Sequence, residues 1–365
     1  MTEEAIVRDS PIDDWDRLAV DRVGGHVYQS RAWAEHRRRA GWRPLFVCAG
    51  PLRILALTRP WPLVGGASAY LSKGPAPVVD GEELGAALWA ATQALAREGI
   101  DVVATDAEVP ASDAAWGSWL RRGRFQPIEE IHPARHRMSL PLAPDADEEA
   151  VFSGVAKTTR QRIRKAEKDG TTVVRHDRRT TAAGPGEGFV APSEPAAMAL
   201  DRFYDFLLET GRRKDFTFGP RADYRAWWSA ALDAGHLVHL EARDAEGDPL
   251  AGLLLYRHGR RLTTVFSGDR AEARRNNPGA LHLLRWRAIQ LAIREDGVEM
   301  DLGGVDVPGA RHVPREGEPM YGLYQHKQSF GAVWLEMTGA HERVIRPRRY
   351  LVGRAVAKAL RVVGR

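Results

Sequence analysis

Two short segments hold the residues best suited to meeting a polyanion. Lys157 to Arg179 carries nine Lys/Arg against three Asp/Glu, and Arg343 to Arg365 carries eight with no acid. Their net charges, +6 and +8, leave −9 for the rest of a chain whose total is +5. Charge focused in this way suits nucleic acid, phospholipid or pyrophosphate, and equally two solvated helix faces. Other groups offer less. Cys48 lies in the apolar stretch LFVCA and reads as a buried thiol. The histidine pairs 132/136 and 236/239 have no Cys or acidic cluster beside them to complete a metal set. Both pairs read as structural or solvated, and no metal is expected. Asp301 and Asp306 flank Gly303 and Gly304, a pattern for a tight turn with positive φ.

The elements that must position these groups come from a chain of 365 residues, 44% hydrophobic and 28% charged. That composition fits a soluble protein with two cored domains and excludes a disordered chain, a collagen-like repeat and a membrane bundle. A single cysteine allows no intrachain disulfide, and the acidic start MTEEAIVRDSPIDDWD has no apolar signal core. No apolar run approaches the ~20 residues of a membrane helix. A cytoplasmic location is expected, with membrane association left open by the basic tail.

The element pattern occurs twice. In the first half a helix at 30–40 precedes strands at 44–49, 52–58 and 68–72. A helix at 82–98, the strand IDVVAT, a helix at 112–122 and the strand HRMSLPL (136–142) complete the set. In the second half come helices near 197–210 and around Tyr224–Leu232, then the strands HLVHLEAR, PLAGLLLY and RLTTVFSG. A helix at 278–296, the strand VEMDL, a helical segment at 321–329 and the strand AVWLEMT follow. Helices, a three-strand meander, then helix–strand–helix–strand is the order of the GNAT acyltransferase fold. The expectation is α/β (α+β), two tandem GNAT-like domains with mixed, mostly antiparallel sheets flanked by helices. Domain boundaries fall at 1–146, completed by the tail 341–365, and 147–340. The stretch from His176 to Pro195 reads as a long mobile loop.

Several segments resemble the Fem family of aminoacyl-tRNA-dependent peptidyltransferases. YQSRAWAEHRRRAGWRP resembles the family's opening segment, and TRQRIRKAEKDGTTV its basic second-domain helix. DLGGVD followed by GLYQHKQSFGA resembles the most specific signature, an Asp-(Leu/Phe)-Gly-Gly turn and then Leu-Tyr-x-Phe-Lys-x-x-Phe-Gly. No stretch matches the coiled-coil arm that some members carry.

The resemblance implies transfer of an amino acid from aminoacyl-tRNA to an amine of a peptidoglycan precursor, UDP- or lipid-linked, with no cofactor. It places the functional lysine at Lys327, positioned to steady an oxyanion. It places the contacts of the tRNA terminus at His326, where the family is usually aromatic, and at Tyr324. It places an acid of the acceptor site at Asp106, able to orient the amine or take its proton. Lys157, Arg160, Arg164 and Lys165 would offer basic surface to tRNA. For the precursor, His36 and Arg37 are candidates near Trp33, with Arg213, Arg221, Tyr224 and Tyr256 in the second half. The family's Arg-x-x-x-Tyr spacing is broken here, because Pro220 stands four residues before Tyr224. That departure motivates an alternative acceptor, a small peptide or natural product.

An acyl-CoA donor is the other alternative. It calls for Arg/Gln-x-x-Gly-x-Gly/Ala at a helix start, where backbone N–H groups hold pyrophosphate. ARRNNPGALHLLRW keeps Gly279 but in no register supplies the rest, and Pro278 removes a donor. The tail reads as a basic amphipathic helix, with Leu351, Val352, Ala355, Val356, Ala359 and Leu360 at helical spacing. It is expected to pack on the first domain, touch tRNA or lie on an anionic membrane.

Overall fold

Buried apolar runs, rather than strict alternation, build the central strands. In Leu52–Pro60 the residues Leu52, Ile54, Leu55, Ala56 and Leu57 are all buried, so this strand is covered on both faces. A computed structural model describes residues 4–132, 135–179, 184–214, 217–307 and 311–363. The chain forms two compact units, 1–136 with 335–365, and 137–334.

The first unit holds β1 (Ile6–Arg8), β2 (Arg43–Ala49), β3 (Leu52–Pro60), β4 (Ala67–Leu71), β5 (Ile100–Thr105), β6 (Gln126–Pro127) and β14 (His341–Val344). The sheet order is β1-β2-β3-β4-β5-β14-β6. Only β4 and β5 run parallel, from Ala67 beside Ile100 to Leu71 beside Thr105. A parallel pair needs a crossover, here the helix Gly81–Arg97. The Asp80 side chain accepts from the N–H groups of Glu82 and Glu83, both at 3.0 Å, and starts that helix. Leu84, Leu88, Ala91 and Leu95 bury its inner face, and Gly99, at φ +86°, ends it.

The second unit repeats the plan with β7 (Arg137–Pro141), β8 (Thr172–His176), β9 (Leu237–Arg243), β10 (Pro249–His258), β11 (Arg261–Asp269), β12 (Glu299–Asp301) and β13 (Val333–Leu335). The order is β13-β7-β12-β11-β10-β9-β8, and β11 and β12 are its parallel pair. They pair only from Arg261 to Thr263, while β11 continues to Asp269. Beyond Thr263 the two strands separate. The crossover helix Ala280–Arg294 is buried along most of its length, with Leu283, Leu284, Trp286, Ile289 and Leu291 in the core. The two mixed sheets and their helices give the tandem GNAT-like architecture.

Two expectations are corrected. The strand expected to close the first set, Arg137–Pro141, pairs with β12 instead, Leu140 opposite Met300. Its place in the first sheet is taken by β14, from the start of the basic tail, which pairs with both β5 and β6. The units therefore divide at 136/137 and 334/335, not at 146/147 and 340/341. The loop expected to be mobile is largely exposed where it is described but is anchored at one point. Phe189 is buried, and Val190 N–H donates to Val173 O at 2.8 Å. Residues 180–183 of that loop lie outside the described residues.

The tail is held by one buried carboxylate. Asp101 on β5 accepts from Arg349 (Nη2, 2.7 Å) and from Trp61 Nε1 (3.0 Å), and pairs with Arg346 at 3.4 Å. Its own carbonyl accepts from Ile345 N–H at 2.7 Å. Replacing Asp101 with Ala leaves two guanidinium groups without their partner. The expected outcome is a melting temperature several degrees lower, with faster tryptic cleavage within 346–361, read by calorimetry and limited digestion.

Candidate functional site

In both units the chemistry-bearing residues gather at the carboxyl ends of the parallel pair. In the first unit β4 leads to Lys73 and β5 to Asp106. Asp106 is buried and accepts from Lys73 N–H at 2.6 Å and from Tyr70 Oη at 2.9 Å. Lys73 Nζ lies 3.5 Å and His132 Nε2 3.9 Å from the same carboxylate. Burial pulls the Lys73 ammonium down, but the carboxylates of Asp106 and Glu108 outweigh it, so its pKa ends above the usual value. Burial, with the Asp106 charge adding to it, pushes the Tyr70 phenol well up. Burial, then the Lys73 charge, pushes His132 down to about 4, so its ring is neutral at pH 7. Asp106 is thus a carboxylate held by two donors and a cation, able to accept a hydrogen bond from a substrate amine.

A cleft of about 770 Å³ opens beside this cluster. Trp33, Trp42, Trp61 and Tyr350 line it, with Arg37 and Arg354 as cations. Tyr28 stacks on Trp33 at 4.3 Å and on His132 at 5.3 Å. The Arg37 guanidinium lies 5.4 Å over Trp33 and 5.2 Å over Trp42. Arg37 lines the cleft, and His36 leans on Trp33 at 5.3 Å. His132 also lines the cleft.

In the second unit the end of β12 leads into Gly303 and Gly304. Asp301 Oδ1 accepts from Gly303 N–H at 2.7 Å and fixes the turn. Gly303 has φ +80°, and a Cβ there would lie 2.8 Å from Thr264 O and 3.4 Å from Lys327 Nζ. Only glycine lets the chain pass this close to both. Lys327, on the helix Tyr321–Gln328, is buried and donates from Nζ to Gly304 O at 2.7 Å. The helix Ala280–Arg294 sends Arg285 toward the same helical segment, where Arg285 Nε donates to His326 Nε2 at 2.9 Å. The ring proton of His326 is therefore on Nδ1. His282 meets His326 edge-on at 4.8 Å, and Arg162 Nη1 lies 3.3 Å from His282 Nε2.

The positive charge of Arg162, Arg285 and Lys327 is close together here. Burial pushes Arg285 down to about 10 and leaves it a cation. His326 is held down to about 2 by burial, then by Arg285, His282, Lys327 and Arg162. His282 is held at about 4 by burial, Arg162 and Arg285. Arg285 Nη1 has no hydrogen-bond partner among the described residues.

Sequence reasoning missed Arg285, His282, Lys73 and Tyr70. For the first two a signal existed: LHLLRWRAIQ places His and Arg inside an otherwise apolar helix face. Lys73 and Tyr70 gave none.

The remaining candidates are engaged elsewhere. Arg213 pairs with Asp269, and Arg221 with Asp205 while lying over the Tyr204 ring. Tyr224 belongs to an aromatic group with Tyr204, Trp228 and Phe266. Tyr256 is buried and accepts from Trp227 Nε1 at 2.6 Å, beneath the helix Arg221–Asp233. Tyr324 accepts from Gln328 Nε2 at 3.1 Å. On the basic helix Lys157–Lys168, Arg160 donates to Val155 O and Lys165 to Asp169, both at 2.7–2.8 Å, and Arg164 lies over Phe152. Lys157 and Arg162 are exposed. Gly279 at the start of the crossover helix packs closely on the basic helix: a Cβ there would lie 2.5 Å from Arg162 O and 2.9 Å from Ala166.

Residues 153–312 match the family model described as Acetyltransferase (GNAT) domain. No match to a curated protein was found. Among solved structures the chain is similar to FemX, at 17% identity over 95% of this chain and 99% of that one, with a TM-score of 0.76. It is also similar to a conserved protein of unknown function from Bacteroides thetaiotaomicron, at 12% identity over 94% and 99%, with a TM-score of 0.56. At these identities the likeness is one of fold, and the Fem-type resemblance of the motifs holds at that level. The findings support an acyl-transfer enzyme of GNAT fold. Among the described residues no helix is long and apolar enough to cross a membrane.

The depressed histidines make stability fall with acid. Unfolded histidines take up protons below pH 6.5, whereas His132, His282 and His326 in the folded chain do so only near 4, 4 and 2. Stability is full above pH 6.5 and is lost as pH falls, by on the order of 1 kcal/mol per pH unit for each histidine. Chemical unfolding at pH 7 and pH 5 should show this loss, and the double variant His282→Phe, His326→Phe should lose less.

Proposed function

We propose that this chain is an aminoacyltransferase that takes its donor from aminoacyl-tRNA and its acceptor amine from a peptidoglycan precursor. The observation that carries the reading is buried Lys327 at the Gly303–Gly304 turn, surrounded by Arg162, His282, Arg285 and His326. The cations Arg162, Arg285 and Lys327, gathered near the end of β12, favour an anionic donor and a developing oxyanion. Pro278, which removes a backbone donor at the start of the crossover helix, argues against acyl-CoA, whose pyrophosphate needs N–H groups there.

In the reaction, the acceptor nitrogen attacks the ester carbonyl. A C–N bond forms, the bond to the ribose oxygen breaks, and the proton lost by the amine passes to that oxygen. Lys327 steadies the oxyanion of the tetrahedral intermediate. In the first unit, Asp106 can accept a hydrogen bond from an acceptor N–H. The aromatic cleft of the first unit holds the acceptor.

A second reading keeps the donor and replaces the acceptor by a small peptide or natural product. It is favoured by Arg213 and Arg221, which carboxylates already neutralise.

With purified protein, tRNA charged with a labelled amino acid and a muropeptide acceptor, label should move to the acceptor. Lys327→Ala should lower kcat by roughly 100-fold or more; unchanged transfer removes the lysine from the mechanism. Equilibrium dialysis of the UDP-linked precursor separates the acceptors, since no binding at millimolar concentration selects the second reading.

A further inference from the structure

The C-terminal helix Pro347–Val363 has two faces with different tasks. Tyr350 and Arg354 line the cleft of the first unit, and Tyr350 and Gly353 are buried against its body. The other face is exposed. Leu351 is 65% and Val352 51% exposed, and Ala355 and Ala359 continue the same stripe at helical spacing. A core-packed helix would bury such a stripe. Beside it lies the loop 61–66, which meets the helix twice. A Cβ on Gly353 would lie 2.5 Å from the Trp61 ring, and one on Gly66 2.8 Å from Arg349 Nε. At the tip of this loop Leu63 is 92% exposed.

Within the helix itself the charge has one sign, and the acids beside it, Asp101 and Glu342, are engaged by Arg346, Arg349 and Tyr350. No acid occurs from Arg343 to Arg365. Arg346 and Arg349 are engaged by Asp101, and Arg354 by the Tyr350 hydroxyl. Arg348 and Lys358 are exposed and have no carboxylate partner among the described residues. An exposed apolar stripe flanked by basic residues matches an anionic lipid–water interface, where apolar groups enter the acyl boundary and cations meet phosphate.

We infer that the helix 347–363 and the loop 61–66 dock on an anionic phospholipid bilayer and bring the mouth of the first-unit cleft to its surface. The inference rests on the acceptor reading above and deepens it: the acceptor amine is carried on a lipid-linked substrate. One helix supplies both the membrane face and part of the cleft wall, so docking orients the cleft toward a substrate anchored in that membrane.

Flotation of the full chain with vesicles tests the docking without any substrate. The protein should float with vesicles of phosphatidylcholine plus phosphatidylglycerol, float less as salt rises, and stay unbound with phosphatidylcholine alone. Leu351→Ser with Val352→Ser, and separately Arg348→Glu with Lys358→Glu, should each weaken partition about tenfold or more. These positions are exposed, so unchanged melting of the variants shows that the fold is retained. Binding that ignores the anionic lipid, or variants that bind like the parent, overturns the proposal. So does a lipid-free dimer, seen by sedimentation, that Leu351→Ser with Val352→Ser dissolves, because the face would then belong to a second copy. For turnover, the variants should keep transfer to a UDP-linked acceptor and lose it to the lipid-linked one in vesicles; equal loss on both overturns the coupling. A parent protein that floats as expected but transfers to no acceptor supports docking while sinking the aminoacyltransferase reading.

Discussion

A parallel strand pair in each mixed sheet constrains everything around it. Parallel neighbours cannot be joined by a tight turn, so each pair needs a helix crossing one face. Those helices, 81–97 and 280–294, supply much of the core of their units. The strand that follows each crossover then ends beside its neighbour: β5 ends level with β4, and β12 ends beside Thr263, partway along β11. The parallel ladder stops there. Side chains from nearby segments fill the space: Lys73 and Asp106 from just after β4 and β5, and Lys327 from the helix Tyr321–Gln328 beside the Gly303–Gly304 turn.

The two ends have opposite electrostatics. In the first unit a buried carboxylate is balanced by Lys73, and aromatic rings carry Arg37 outward along the cleft. In the second, three cations gather around two neutral histidines, and among the described residues Arg285 has no carboxylate partner to offset its burial. A buried guanidinium is costly unless its field serves a partner. The hydrogen bond from Arg285 to His326 shows one use of it: the ring is kept neutral, with its proton on Nδ1, beside the lysine.

The motifs near the second-unit site were legible because they depend on local conformation. A positive-φ turn needs Gly303, and the helix that follows needs the spacing of Leu323, Lys327 and Phe330. The meanders and crossover helices were legible from apolar runs and their glycine stops at Gly99 and Gly297. Arg213, Arg221 and Tyr256 were poorer guides. Their side chains reach Asp269, Asp205 and Trp227, partners whose proximity depends on how helices 196–214 and 221–233 lie on the sheet.

The sequence by itself determined the doubled element order, the two basic segments, the Asp-Gly-Gly turn and the lack of a CoA-type loop, because each is a property of neighbouring residues. The tertiary structure decided which strands pair. HRMSLPL and the short segment HERV are both competent strands, and backbone hydrogen bonding does not distinguish one partner from another. Burial of Leu140 beside Met300, and the clamp of Asp101 on Arg346 and Arg349, placed each in its sheet. The tertiary structure also split the charge of the tail. Its arginines near the body are taken up by Asp101, and the stripe beginning at Leu351 and Val352 is left outside.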